Sequence, residues 1–95
     1  MATTQSEKKY YKSIDCTSMF RFEFVNVGDH IDIYCLSHPP LGGRDPSPHK
    51  THLFDSGKIC LVDGREPTSQ ARAEELAKQW AEYWLSYSRT GVVQS

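Results

Sequence analysis

The stretch Ser18-Met19-Phe20-Arg21-Phe22-Glu23-Phe24-Val25 decides the fold. Phe20, Phe22 and Phe24 alternate with charged neighbours, a period of two that predicts a half-buried strand with an aromatic core face. Gly28-Asp29 supplies turn chemistry downstream. The run Ile31-Asp32-Ile33-Tyr34-Cys35-Leu36 then alternates again, so the two runs are expected to pair as an antiparallel hairpin. A sheet with one apolar face needs a second layer to cover it. The chain offers one long helix for that purpose, with start signals at Pro67, Thr68 and Ser69 and a stop at Gly91. Ala73, Leu76, Ala77, Trp80, Trp84 and Tyr87 recur at three- and four-residue spacing and form one broad apolar stripe, read as core. Arg72, Glu74, Glu75, Lys78, Gln79 and Glu82 fall mainly on the other side. The expected class is α+β: a small antiparallel β-meander packed on one long C-terminal helix.

Between hairpin and helix the chain changes character. From Ser37 to Thr51, Pro39, Pro40, Gly42, Gly43, Pro46 and Pro48 argue against regular structure. Loops of that length in so small a domain are commonly functional. His52 to Phe54, a turn at Asp55-Ser56-Gly57, a short strand Lys58 to Val62 and a second turn at Asp63-Gly64-Arg65 follow. Residues 1–17 read as a polar lead-in, 18–91 as a single domain and 92–95 as a tail.

Composition narrows the function. The 95 residues carry a formal charge of -1, with 38% hydrophobic and 24% charged residues, values of a folded domain. Near-neutral charge argues against nucleic acid, which needs a basic face. The basic cluster Lys8, Lys9 and Lys12, beside Tyr10 and Tyr11, reads as a solvated N-terminal segment. No run of about 18 apolar residues exists, so no membrane span is expected. The polar start MATTQSEKKYYK lacks the apolar segment of a secretory signal. With the odd count of Cys16, Cys35 and Cys60, this points to reduced thiols in a cytoplasmic protein.

Two chemistries compete for those thiols. Cys35 and His38, and His49 and His52, are each separated by two residues, and the four are candidate ligands for a tetrahedral zinc site in a small adaptor. Against this, Cys35 shares a strand face with Ile31 and Ile33, which favours a buried apolar role. Cys60 is the other candidate. It follows the Gly57 turn, and the Pro-rich loop brings His49 and His52 upstream of it. An exposed cysteine beside groups that favour thiolate or stabilise developing oxyanion charge is a usable nucleophile.

The segment His52-Leu53-Phe54-Asp55-Ser56-Gly57-Lys58-Ile59-Cys60-Leu61-Val62-Asp63 resembles the active-site segment of ubiquitin-conjugating enzymes. There an His-Pro-Asn triplet leads through a polar turn into Gly-x-Ile-Cys-Leu. Aligned on Gly57 and Cys60, Lys50, Thr51 and His52 occupy the triplet, and His52 takes the asparagine's place. The bacterial branch is the more similar: Pro48-His49, Gly57 to Leu61, Trp80-Ala81-Glu82-Tyr83-Trp84-Leu85, Tyr87 and Thr90-Gly91 follow its pattern. The similarity covers roughly residues 18–91, including the Phe-rich strand, the hairpin and Pro39-Pro40.

The resemblance implies a reduced ubiquitin-conjugating-like fold, without the helix that precedes the sheet in eukaryotic relatives and with the later helices reduced to one. It implies transthiolation onto Cys60 as nucleophile, with His52 or His49 assisting by hydrogen bonding or proton transfer, or bracing the loop. The implied partners are an activating enzyme, a ubiquitin-like or other carrier protein and a protein target, as in bacterial antiviral conjugation operons. No bound cofactor is implied, since ATP is spent upstream. A non-catalytic interaction module of the same fold remains the alternative.

Overall fold

A computed structural model describes residues 5–61 and 66–93. Three strands, β1 (Gln5–Lys12), β2 (Met19–Asn26) and β3 (Ile31–Ser37), form an antiparallel sheet in the order β1-β2-β3. A single helical turn, α1 (Pro48–Thr51), interrupts the long loop, and α2 (Gln70–Thr90) covers one sheet face. This is the expected α+β meander with a long C-terminal helix.

The alternation of the Phe-rich run sets the layers. Phe20, Phe22 and Phe24 are at most 3% exposed, and Ile31, Ile33 and Cys35 join them from β3. Across the interface Trp80 stands edge-on to Phe20 and Phe22, with ring centres 6.0 Å from each, an arrangement that aligns ring edges with the electron-rich faces. Ala73, Ala77 and Ala81, at most 1% exposed, line the same helix face at four-residue spacing. Their small side chains let the helix backbone approach the sheet. The Ser69 hydroxyl accepts from the Arg72 amide at the start of α2, and Gly91, at φ 73°, closes its end.

Three parts of the chain differ from expectation. Residues 5–12, read as lead-in, form the outer strand β1, registered from Gln5 opposite Asn26 to Lys12 opposite Met19. Apolar alternation does not reveal it, because its inner face is polar and is satisfied from α2. Lys9 Nζ reaches Glu74 at 3.0 Å and the Tyr11 hydroxyl donates to Glu82 at 2.7 Å. The short strand expected from Lys58 is reduced to two bridges, Tyr34 with Lys58 and Leu53 with Ile59. Val62 and the turn at Asp63-Gly64-Arg65 lie outside the described residues. Finally, the Ser37–Thr51 loop contains α1, because Pro48 sits at the first helical turn, where its missing N–H costs nothing. Among the described residues, no helix is long and apolar enough to cross a membrane.

Candidate functional site

The segment preceding Cys60 is built from the inside outward. The Asp45 carboxylate accepts from the Ser47 amide at 3.0 Å, and Ser47 O then receives the amides of Lys50 and Thr51 at 2.9 and 3.0 Å. Thr51, 1% exposed, donates its hydroxyl to Ser47 O at 3.2 Å and accepts the Leu53 amide at 3.3 Å. The turn ends on His52, whose φ of 56° is left-handed. That conformation costs a non-glycine residue about 1 kcal/mol or more, so the surroundings must hold it. The His52 amide donates to Pro48 O at 2.7 Å, and its carbonyl accepts the Cys60 amide at 2.8 Å.

Helix α2 anchors this turn from below. Trp80 Nε1 donates to Thr51 O at 3.0 Å in a buried contact, and the Tyr83 hydroxyl donates to Lys50 O. The Tyr83 ring also lies 5.1 Å from the His52 imidazole, tilted by 44°. Trp80 and Tyr83 are three residues apart and therefore neighbours on one helix surface. One helix face thus grips successive carbonyls of the turn that carries His52.

From the other side, β3 fixes the approach to Cys60. The Phe54 amide donates to Lys58 O at 2.9 Å and the Gly57 amide to Phe54 O at 2.8 Å, closing the polar turn. Gly57 O accepts from Cys35 N at 2.7 Å and Ile59 N donates to Ile33 O at 2.8 Å. Gly57 has φ +91°, and a Cβ there would lie 3.3 Å from Cys35 O. Glycine meets both demands, a left-handed backbone and close passage over β3. Ile59, 2% exposed, plugs the core, and the next residue, Cys60, emerges half-buried.

The three cysteines therefore occupy distinct environments. Cys16 is exposed, Cys60 is intermediate, and Cys35 is buried. Burial pushes the Cys35 thiol up to about 12, and its Sγ points at Ser37 O, 3.4 Å away. The contact between His52 and Cys60 is a main-chain one, the Cys60 amide donating to His52 O. His49, in contrast, is exposed on α1, and no hydrogen bond joins it to Cys60. His38 packs against Trp84 with ring centres 4.2 Å apart and planes tilted by 46°, and its Nδ1 lies 2.9 Å from Pro39 O. Among the described residues no three His, Cys, Asp or Glu side chains converge, so Cys35, His38, His49 and His52 do not assemble a metal centre.

Sequence reading missed the anchoring role of Trp80 and Tyr83. A signal was present for Trp80: a buried indole carries an N–H that needs an acceptor, and core placement alone leaves it unpaired. Comparison with protein-family models, with curated proteins and with solved structures finds no match to this chain.

Proposed function

We propose that the chain is a compact ubiquitin-conjugating-like transferase that works through Cys60. The observation that carries this reading is the 2.8 Å hydrogen bond from the Cys60 amide to His52 O. It joins the histidine-bearing turn to Cys60, which is half-buried, whereas Cys35 is buried and Cys16 is exposed between β1 and β2. The fold order of hairpin, Pro-rich loop, polar turn, cysteine and helix supports the same reading.

In the proposed reaction, the Cys60 thiolate attacks the thioester carbonyl at the carrier's C-terminus. A new C–S bond forms, the activating enzyme's thiolate leaves, and the carrier rests on Cys60. An amine of the target then attacks that carbonyl. The C–S bond breaks, an amide forms, Cys60 departs as thiolate and the amine's proton passes to a base. In this reading the His52 imidazole donates a hydrogen bond to the developing oxyanion or receives the proton. Three unpaired thiols fit a protein working in a reducing compartment such as the cytoplasm.

Ubiquitin bearing a chemically prepared C-terminal thioester tests the first step without an activating enzyme. The expected result is an adduct on Cys60 that thiol reductants cleave, and that Cys60→Ser traps as an oxyester. His52→Ala should slow discharge to free lysine with folding near intact. If Cys60 forms no adduct and also alkylates no faster than Cys16 and Cys35, the transferase reading fails and the fold serves as an interaction module.

A further inference from the structure

The basic segment Lys8 to Lys12 has no part in the chemistry at Cys60, and β1 places it at a free sheet edge. Among the described residues β1 pairs with β2 alone, so alternate N–H and C=O groups along Gln5–Lys12 point away from the sheet. Strand alternation divides the segment. Lys9 and Tyr11 turn inward to Glu74 and Glu82, while Lys8, Tyr10 and Lys12 are exposed on the outer face, Tyr10 by 68%. Among the described residues Lys8 and Lys12 close no ion pair. Opposite Tyr10 stands Arg21, whose guanidinium lies 5.6 Å from the Tyr10 ring centre and whose buried Nε has no hydrogen-bond partner among the described residues. Glu23, opposite Lys8, is the single acid in this strip, leaving it basic by two charges from Lys8, Lys12 and Arg21.

Below the same edge, on the helix side, a cleft of ≈ 510 Å³ opens between β1 and α2. Tyr11, Ile14 and Tyr83 give it apolar walls, Lys78, Gln79 and Glu82 line the rest, and Ile14 is 79% exposed. An edge with a basic outer side and an apolar cleft on its inner side has a definite complement. We propose that β1 recruits an extended acidic segment of a partner protein by strand addition. Run antiparallel to β1, that segment places acidic residues opposite Lys12 and Lys8, an apolar one opposite Tyr11, toward the cleft, and another opposite Lys9, toward the smaller hollow lined by Lys9, Phe22 and Ala77. Its pattern is acid, apolar, any, apolar, acid. Main-chain hydrogen bonds to the β1 edge supply affinity and the alternating side chains supply selectivity.

Two other occupants fit less well. A second copy of β1 would bring Lys8 and Lys12 against a strand of their own charge, which is unfavourable across a ladder. Single-stranded nucleic acid needs successive open aromatic platforms in a basic groove. Here Tyr10 has Arg21 over its ring, and Glu23 and Asp32 lie on the two neighbouring strands.

The test is titration of the isotope-labelled full chain with the peptide Glu-Ile-Thr-Val-Glu, capped at both ends, followed by amide chemical shifts and hydrogen exchange. The expected result is saturable binding, with shifts and slowed exchange concentrated on β1 amides. Binding should weaken about tenfold in Lys8→Glu/Lys12→Glu, whose sites are exposed and whose folding is checked by spectral dispersion. The charge-reversed peptide Lys-Ile-Thr-Val-Lys and a backbone N-methylated version should not bind. No shift up to ~1 mM peptide, equal binding of the N-methylated peptide, preference for oligothymidylate, or self-association through β1 in sedimentation each overturns the proposal.

Discussion

Cys35 should be silent to alkylation in the folded chain and reactive once it unfolds. An ordinary thiol titrates near 8.5 and is about one quarter thiolate at pH 8. With the Cys35 thiol pushed up to about 12 by burial, roughly one molecule in ten thousand carries the reactive thiolate at that pH. Ionisation alone therefore separates native from unfolded Cys35 by about two-thousandfold. Steric protection adds to this, since Cys35 is 7% exposed and sits under Gly57 O through its own amide.

Iodoacetamide pulses at ~pH 8, read by peptide mass spectrometry, give rates for all three thiols at once. Cys60, as the proposed nucleophile, should label fastest, Cys16 should also label in the native state, and Cys35 should label only through opening. Raising urea through the unfolding transition should bring Cys35 up to the others. The linked effect on stability has a fixed sign. Because the folded thiol titrates above the unfolded one, its stabilising contribution is complete below ~8.5 and is lost as pH climbs toward about 12. Native Cys35 labelling within about tenfold of Cys16 would refute the buried environment described for β3.

Other perturbations report on the remaining contacts. Trp80→Phe keeps an aromatic ring against Phe20 and Phe22 but deletes the donor to Thr51 O, and should cost about 1–3 kcal/mol in urea unfolding while speeding exchange of the Cys60 amide. Trp84→Phe, which deletes the bond to Pro39 O, should leave that amide's exchange unchanged. Gly57→Ala meets a left-handed backbone and Cys35 O at 3.3 Å, and should lower stability by about 1–3 kcal/mol, seen as a lower urea midpoint. Burial and the Glu82 carboxylate together push the Tyr11 phenol up to about 12. Glu82→Gln should move its ultraviolet titration down, though not below the ordinary value of about 10, since burial remains.

How much of this was legible beforehand depended on whether a residue's partner is apolar or polar. Phe20, Phe22 and Phe24 face a continuous apolar layer, so their period is visible without knowing what lies opposite. The same holds for the α2 stripe from Ala73 to Tyr87. Strand β1 has no such period, because Lys9 and Tyr11 are satisfied by Glu74 and Glu82, residues sixty-five and seventy-one positions away. A polar strand paired to a distant carboxylate looks locally like a solvated tail. The candidate site divides along the same line. Cys60, Gly57 and His52 stand out as a short motif, whereas the grip of Trp80 and Tyr83 on Thr51 and Lys50 is made through backbone carbonyls. Backbone acceptors leave no mark on the residues that supply them.

That division bears on how the site tolerates change. The His52 turn is left-handed and depends on contacts from two directions, α2 through Trp80 and the Cys60 segment through its amide. Strain at His52 is offset by hydrogen bonds whose acceptors are the main chain, so the residues at 50 and 51 are free to vary in side chain without losing the grip, apart from the buried Thr51 hydroxyl. The donors have no such freedom, because a missing indole or phenol leaves a carbonyl without its partner. Helix α2 is therefore both the cover of the core and the clamp of the site. Loosening it at Trp80 should expose the His52 turn to solvent before it releases the Phe-rich sheet, and the order of amide exchange, Cys60 ahead of Phe22, measures that separation directly.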